Sequence, residues 1–153
     1  MTESDAHLRF ERRPSPVLAE HRPLYKIGQV LLVLHLASRG GKSSLPRLHL
    51  FNWALKADER QSLLVKAAET KKLDVPAWGF DPILAIAIRF AMAEGLVSEN
   101  STGYEIAQPG EIFINDALQD ADIFPEERAF LSQVGKGITE QMVDATAKGW
   151  EAW

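Results

Sequence analysis

The sequence predicts a mainly α domain with one small β-hairpin, and three observations carry that prediction. Apolar residues recur at helical spacing in several separate segments, most densely from Pro82 to Ala93. Directly after Gly95 the pattern changes to strand-like alternation in Leu96–Glu99 and Tyr104–Ala107. Beyond Pro109 helical spacing returns and continues to the C-terminus. Helices, a glycine, a hairpin and further helices is the order expected of a winged-helix core (helix-turn-helix plus wing) with extra C-terminal helices.

Taken in order, Met1 to Pro23 carries Pro14, Pro16 and Pro23 among short apolar residues, which predicts an arm with an edge strand rather than a helix. From Leu24 to Ser38, Leu24, Ile27, Val30, Leu31, Val33, Leu34 and Ala37 cover most of a helix circumference, so this helix belongs at the centre, and Arg39-Gly40-Gly41 ends it. Ser43-Ser44 caps a second helix with Pro46 in its first turn, and the glycine turn between the two reads as the start of a helix-turn-helix. A third helix runs from Asp58, its expected cap, to about Lys72, and Val75 to Phe80 forms a loop with two aromatics. Asp81 caps and Pro82 opens the apolar fourth helix. The hairpin turns at Asn100-Ser101-Thr102-Gly103, where Gly103 takes a positive φ. Helices then follow after Pro109-Gly110, from Pro125 to about Val134, and from Ile138 to Trp153, with Gly135-Lys136-Gly137 as a hinge. The organisation expected is one domain over 1–153: an arm at 1–23, a winged-helix core at 24–119 and a helical tail at 120–153.

At 153 residues, 46% hydrophobic and 25% charged, the chain has ordinary globular composition and enough length for one core. A net charge of −4 disfavours nucleic-acid binding by bulk electrostatics. The charge is uneven: Arg22, Lys26, Arg39, Lys42 and Arg47 face only Glu20 between residues 20 and 50. Between Pro109 and Leu131, Glu111, Asp116, Asp120, Asp122, Glu126 and Glu127 face only Arg128. The absence of cysteine excludes disulfides, thiolate nucleophiles and cysteine-ligated metals. A polar, acidic N-terminus and apolar runs too short for a bilayer predict a cytoplasmic protein with no membrane contact.

Motifs for chemistry fail on inspection. Gly40-Gly41-Lys42-Ser43 resembles the end of a phosphate-binding loop, but the glycine required upstream is Leu36 and the preceding segment is helical. His7, His21, His35 and His49 match no zinc signature, so His35 and His49 read as residues packed at helix contacts. No nucleophile elbow surrounds any serine. The expectation is a non-enzyme with no catalytic, cofactor-binding or metal residues; a homodimeric enzyme with a composite site would need a polar pocket.

Binding signals are stronger. Trp53 and Trp78 read as core or core-edge residues, whereas Trp150 and Trp153, three positions apart on the tail helix, predict docking onto this domain or, in preference, onto a partner or a second copy. Arg39, Lys42, Arg47 and Lys56, with Lys71 and Lys72, form the candidate phosphate-contacting surface. The fourth helix, where a winged helix reads bases, offers only Arg89, so DNA contact is expected to be weak or indirect.

The stretch from Arg22-Pro23-Leu24-Tyr25-Lys26-Ile27 through Arg39-Gly40-Gly41-Lys42-Ser43-Ser44-Leu45-Pro46-Arg47-Leu48-His49-Leu50-Phe51-Asn52-Trp53-Ala54-Leu55-Lys56, with the later Gly95-Leu96-Val97, resembles the middle component of bacterial three-component ABC-ATPase systems. The resemblance covers about Arg22 to Leu118 and is specific in the Arg-Gly-Gly-Lys to Leu-Phe-Asn-Trp part. It implies a small non-catalytic adaptor, similar in role to winged-helix accessory subunits of SMC-like complexes, that links an ABC-type ATPase to an effector subunit in defence against phage or plasmids. The expected partner-binding residues are Arg39, Lys42, Arg47, Trp150 and Trp153, with homodimerisation as a further mode of association. The alternative is a winged-helix DNA-binding transcriptional regulator, supported by the basic first half.

Overall fold

The computed structural model describes residues 23–76 and 78–151. The expected arm falls outside the described residues except for Pro23, which opens the first helix instead, and Trp153 lies outside them too. Among the described residues, seven α-helices and a three-stranded antiparallel sheet follow in the order α1 (Pro23–Leu36), β1 (Lys42–Ser43), α2 (Leu45–Ala54), α3 (Asp58–Thr70), α4 (Pro82–Ala93), β2 (Val97–Asn100), β3 (Gly103–Ile106), α5 (Gln108–Ala117), α6 (Pro125–Val134) and α7 (Glu140–Glu151).

α1 is central because its sequence leaves no polar face wide enough for water. Ile27 and the whole run Val30 to Leu34 are buried, and the helix touches α2, α4, α5 and α6. Burial of one such Leu or Ile side chain stabilises the fold by about 1.5–3 kcal/mol, so α1 organises the core. Of the polar residues it buries, Lys26 Nζ donates to Asn52 Oδ1 at 2.8 Å and Gln29 Nε2 donates to Glu127 Oε2 at 3.2 Å, while Gln29 Oε1 is buried without a hydrogen-bond partner among the described residues.

The glycine turn does not join two helices directly. Arg39–Gly41 forms a single 3-10 turn with Gly40 and Gly41 at φ of 64° and 69°, and Lys42–Ser43 then runs extended as β1. Alternation cannot reveal a strand two residues long; β1 exists because β3 pairs with it, Lys42 opposite Glu105 and Ser43 opposite Tyr104. Ser44 alone caps α2, its Oγ accepting from the Arg47 N–H at 3.3 Å. Asp58 is likewise not a cap: Ala57 holds that position without a side-chain bond, and Asp58 supplies first-turn charge to α3.

The Asp81 cap and Pro82 start of α4 match the expectation, with Asp81 Oδ1 accepting from the Ile83 N–H at 2.9 Å. The hairpin does too, pairing Val97 with Ile106 and Asn100 with Gly103. Asn100 Oδ1 closes its turn by accepting from the N–H groups of Thr102 and Gly103. A Cβ on Gly103 would lie 2.3 Å from the Ser43 carbonyl oxygen, so this glycine lets β1 approach.

Residues 120–151 are not appended to a finished core. Phe124, Phe130, Leu131, Val134, Ile138 and Val143 are buried in the same cluster as α1, α6 packs on α1 and α3, and α7 on α2. At the Gly135–Gly137 segment, a Cβ on Gly137 would stand 2.7 Å from the Ala68 side chain, and the next carbonyl, of Ile138, accepts from Arg47. Among the described residues, no helix is long and apolar enough to cross a membrane.

Candidate interaction surfaces

The turn after α1 and the N-terminal end of α7 face one another across a groove of about 940 Å³. Exposed Arg39, Lys42 and Lys136 line it together with Thr102 of the hairpin turn, and Glu140 and Asp144 stand on the α7 side. Glu140 is committed to closing the fold, accepting from the Ser44 N–H at 2.9 Å and from Ser44 Oγ at 2.6 Å. The groove therefore mixes charge, with cations on the turn and carboxylates on the helix.

Arg47, expected as a third exposed cation of this turn, is an internal brace and a correction to that expectation. Only 2% of it is exposed, and its guanidinium donates to Ile138 O at 2.8 Å, to Ser38 Oγ at 2.8 Å and to Ala37 O. It also lies 4.9 Å from the centre of the Phe51 ring. Burial lowers its pKa to about 10, against the opposing pull of Glu140, so it stays charged at neutral pH while joining α1, α2 and the α6–α7 corner. Of the five predicted contact residues, the structure thus brings Arg39 and Lys42 to one surface and buries Arg47. Trp150 falls on α7 with its side chain outside the described residues, where Trp153 also lies.

Lys56 is drawn away from the candidate phosphate surface. Its Nζ pairs with Asp81 Oδ2 at 2.9 Å, the atom that also accepts from Asn52 Nδ2 at 2.9 Å. Burial alone would raise the Asp81 pKa, but Lys56, Asn52 and the Ile83 N–H outweigh it and hold the carboxyl at about 2. Beside it, His49 Nδ1 accepts from the Asp81 N–H at 3.3 Å, the Phe80 ring sits 5.1 Å away, and burial lowers the imidazole pKa. His35 instead meets Glu111 at the α1–α5 contact, Nδ1 to Oε2 at 3.0 Å. Both histidines sit at helix contacts, as their sequence context indicated. Trp78 is buried and donates Nε1–H to Pro46 O at 2.9 Å, while half-buried Trp53 lies under Arg60, 4.8 Å from the guanidinium carbon. Among the described residues, no group of three or more His, Asp or Glu could hold a metal ion.

The surface that sequence reasoning did not resolve into residues is the outer face of α4. Leu84, Ala87, Ile88 and Ala91 face the core, yet Ile86 is 45% and Phe90 49% exposed, and Phe80, just before the helix, is 68% exposed. Arg89 is the exposed cation on this helix. The signal was present as an excess: a helix that buries one face needs about half its positions apolar, and α4 is apolar nearly throughout. Its C-terminal end opens onto a second groove of about 520 Å³, against α5, where Ile112 is 63% exposed.

No family model, curated protein or solved structure matches the chain.

Proposed function

We propose that this chain is a non-catalytic adaptor subunit of a multi-component ABC/SMC-like ATPase complex in anti-phage or anti-plasmid defence, built on a winged-helix core. In this reading α1, β1, α2, α4 and the β2–β3 hairpin form the winged helix, α3 is an insertion before the third helix of the motif, and α5–α7 are additions that complete the core. The observation that carries the proposal is the outward display of Ile86 and Phe90 on α4. A DNA reader places Arg, Asn or Gln on that helix to reach base edges. An aromatic and a branched aliphatic residue one turn apart instead suit the desolvated centre of a protein–protein contact. The resemblance to middle components of three-component ABC-ATPase systems supplies the partners: an ABC-type ATPase and an effector subunit.

The alternative, a winged-helix transcriptional regulator, has the gathering of Arg39, Lys42 and Lys136 beside the hairpin turn in its favour, and Glu140 and Asp144 in the same groove against it. Affinity isolation of the tagged full chain from its native cytoplasm separates the two. The adaptor reading expects an ABC-type ATPase, identified by mass spectrometry, at tenfold or lower recovery with the Ile86→Ser/Phe90→Ser variant. That variant should unfold at an unchanged temperature, because both side chains are half exposed. Recovery of nuclease-sensitive DNA without an ATPase, lost on Arg39→Ala/Lys42→Ala substitution, would establish the regulator instead.

A further inference from the structure

The exposed face of α4 does not end with Phe90. Ile86, Phe90 and Glu94 follow at intervals of four and share one side of the helix, and Glu94 leads directly into the 520 Å³ groove. Leu96, Pro109 and Ile112 line that groove with apolar surface, and Glu94 and Asp116 give it two carboxylates. The acidic character continues beyond the groove at exposed Asp120. Arg128 directs its guanidinium to the carbonyls of Leu118, Asp120 and Ile123. Arg89, next to Phe90 on α4, is an exposed cation beside the strip.

We infer that this strip receives an amphipathic helix of a partner protein, apolar where it meets Ile86, Phe90 and Ile112 and carrying Lys or Arg where it passes Glu94 and Asp116. The inference rests on the adaptor reading and specifies the chemistry of its contact. Side chains of α4, α5 and the turn at residues 94–96 build the strip, so recognition is by side chains and the bound segment satisfies its own backbone hydrogen bonds, as a helix does. Side chains one turn apart on α4 present a ridge that a second helix can straddle. Volumes of several hundred Å³ suit a few large apolar anchors, and the paired carboxylates favour basic over acidic flanks by charge complementarity.

Two fluorescent peptides test this on the full chain by anisotropy: a leucine–lysine amphipathic helix, and the same sequence with glutamate for every lysine. The lysine peptide should bind at least tenfold more tightly. Glu94→Lys/Asp116→Lys should abolish that preference, whereas Glu59→Lys/Glu69→Lys on the exposed side of α3 should leave it intact, which separates the groove from the net charge of −4. Phe90→Ser should weaken both peptides. Equal affinities, a preference that survives reversal of the groove charges, or one lost equally in the α3 variant would overturn the inference. So would a dimer of the chain that dissociates on Ile112→Ser substitution, since a second copy would then hold the strip. If the ATPase co-purifies through Phe90 while the peptide preference is missing, this inference alone falls; absence of the ATPase defeats the adaptor reading itself.

Discussion

Arg47 shows how far the role of a residue depends on what surrounds it. Its three nitrogens serve a hydroxyl and two carbonyls contributed by α1's end and the α6–α7 corner, and each acceptor is left without its donor if the guanidinium is removed. Arg47→Met should therefore destabilise the fold by about 3 kcal/mol in urea unfolding, and Arg47→Lys should rescue little, because one ammonium cannot span the fork. A surface arginine would give a change near zero. The Asp81–His49 pair predicts two separate acid effects. The imidazole pKa is lowered from 6.5, so the unfolded chain takes up the proton more readily and stability falls as pH drops below about 6.5. The carboxyl is held at about 2 rather than 3.8, so its contribution is present above pH 3.8 and is lost as pH falls toward 2. Stability measured against pH should show both losses in the wild type, and only the lower one in His49→Phe. The sequence identified Asp81 as a cap, since capping is local; it could not identify Lys56 and Asn52 as its partners, 25 and 29 positions away.

At the scale of elements, local chemistry was legible wherever an element depends on its own residues. The start of α4, the breadth of α1's apolar surface and the turn of the hairpin all follow from neighbours in sequence. β1 was not legible, because two residues have no periodicity and the strand is made by β3. Gly110, inside α5, gives a test in which packing opposes propensity. Alanine in a helix interior normally stabilises by about 1 kcal/mol over glycine, but a Cβ here would stand 2.2 Å from the Leu96 carbonyl oxygen. Gly110→Ala should therefore destabilise by about 2 kcal/mol on thermal unfolding, since α5 must move off the Leu96 backbone to accommodate it. A gain in stability would show that the approach of α5 to Leu96 is looser than this geometry requires.

Across the whole molecule, residues of α6 and α7 share the core that α1 organises. Ile138 and Val143 are only 1% and 0% exposed, Arg47 holds the Ile138 carbonyl, and Glu140 holds Ser44 at the start of α2. A chain ending at Gly135 should consequently lose cooperative unfolding or melt at least 10 °C lower; removal of a dispensable tail would leave the melting curve unchanged. The same reasoning rules out that truncation as a test of partner contact and favours the exposed α4 variants. By itself the sequence determined what periodicity, capping and turn chemistry determine: a mainly helical chain, a central first helix, a small hairpin, and a fourth helix with more apolar surface than one buried face uses. Only the tertiary structure decided which cations stay in water, which carboxylates are spent on closing the fold, and which side of α4 remains uncovered. Burial and pairing are properties of segments distant along the chain that meet in space, and no local pattern encodes which segments will meet.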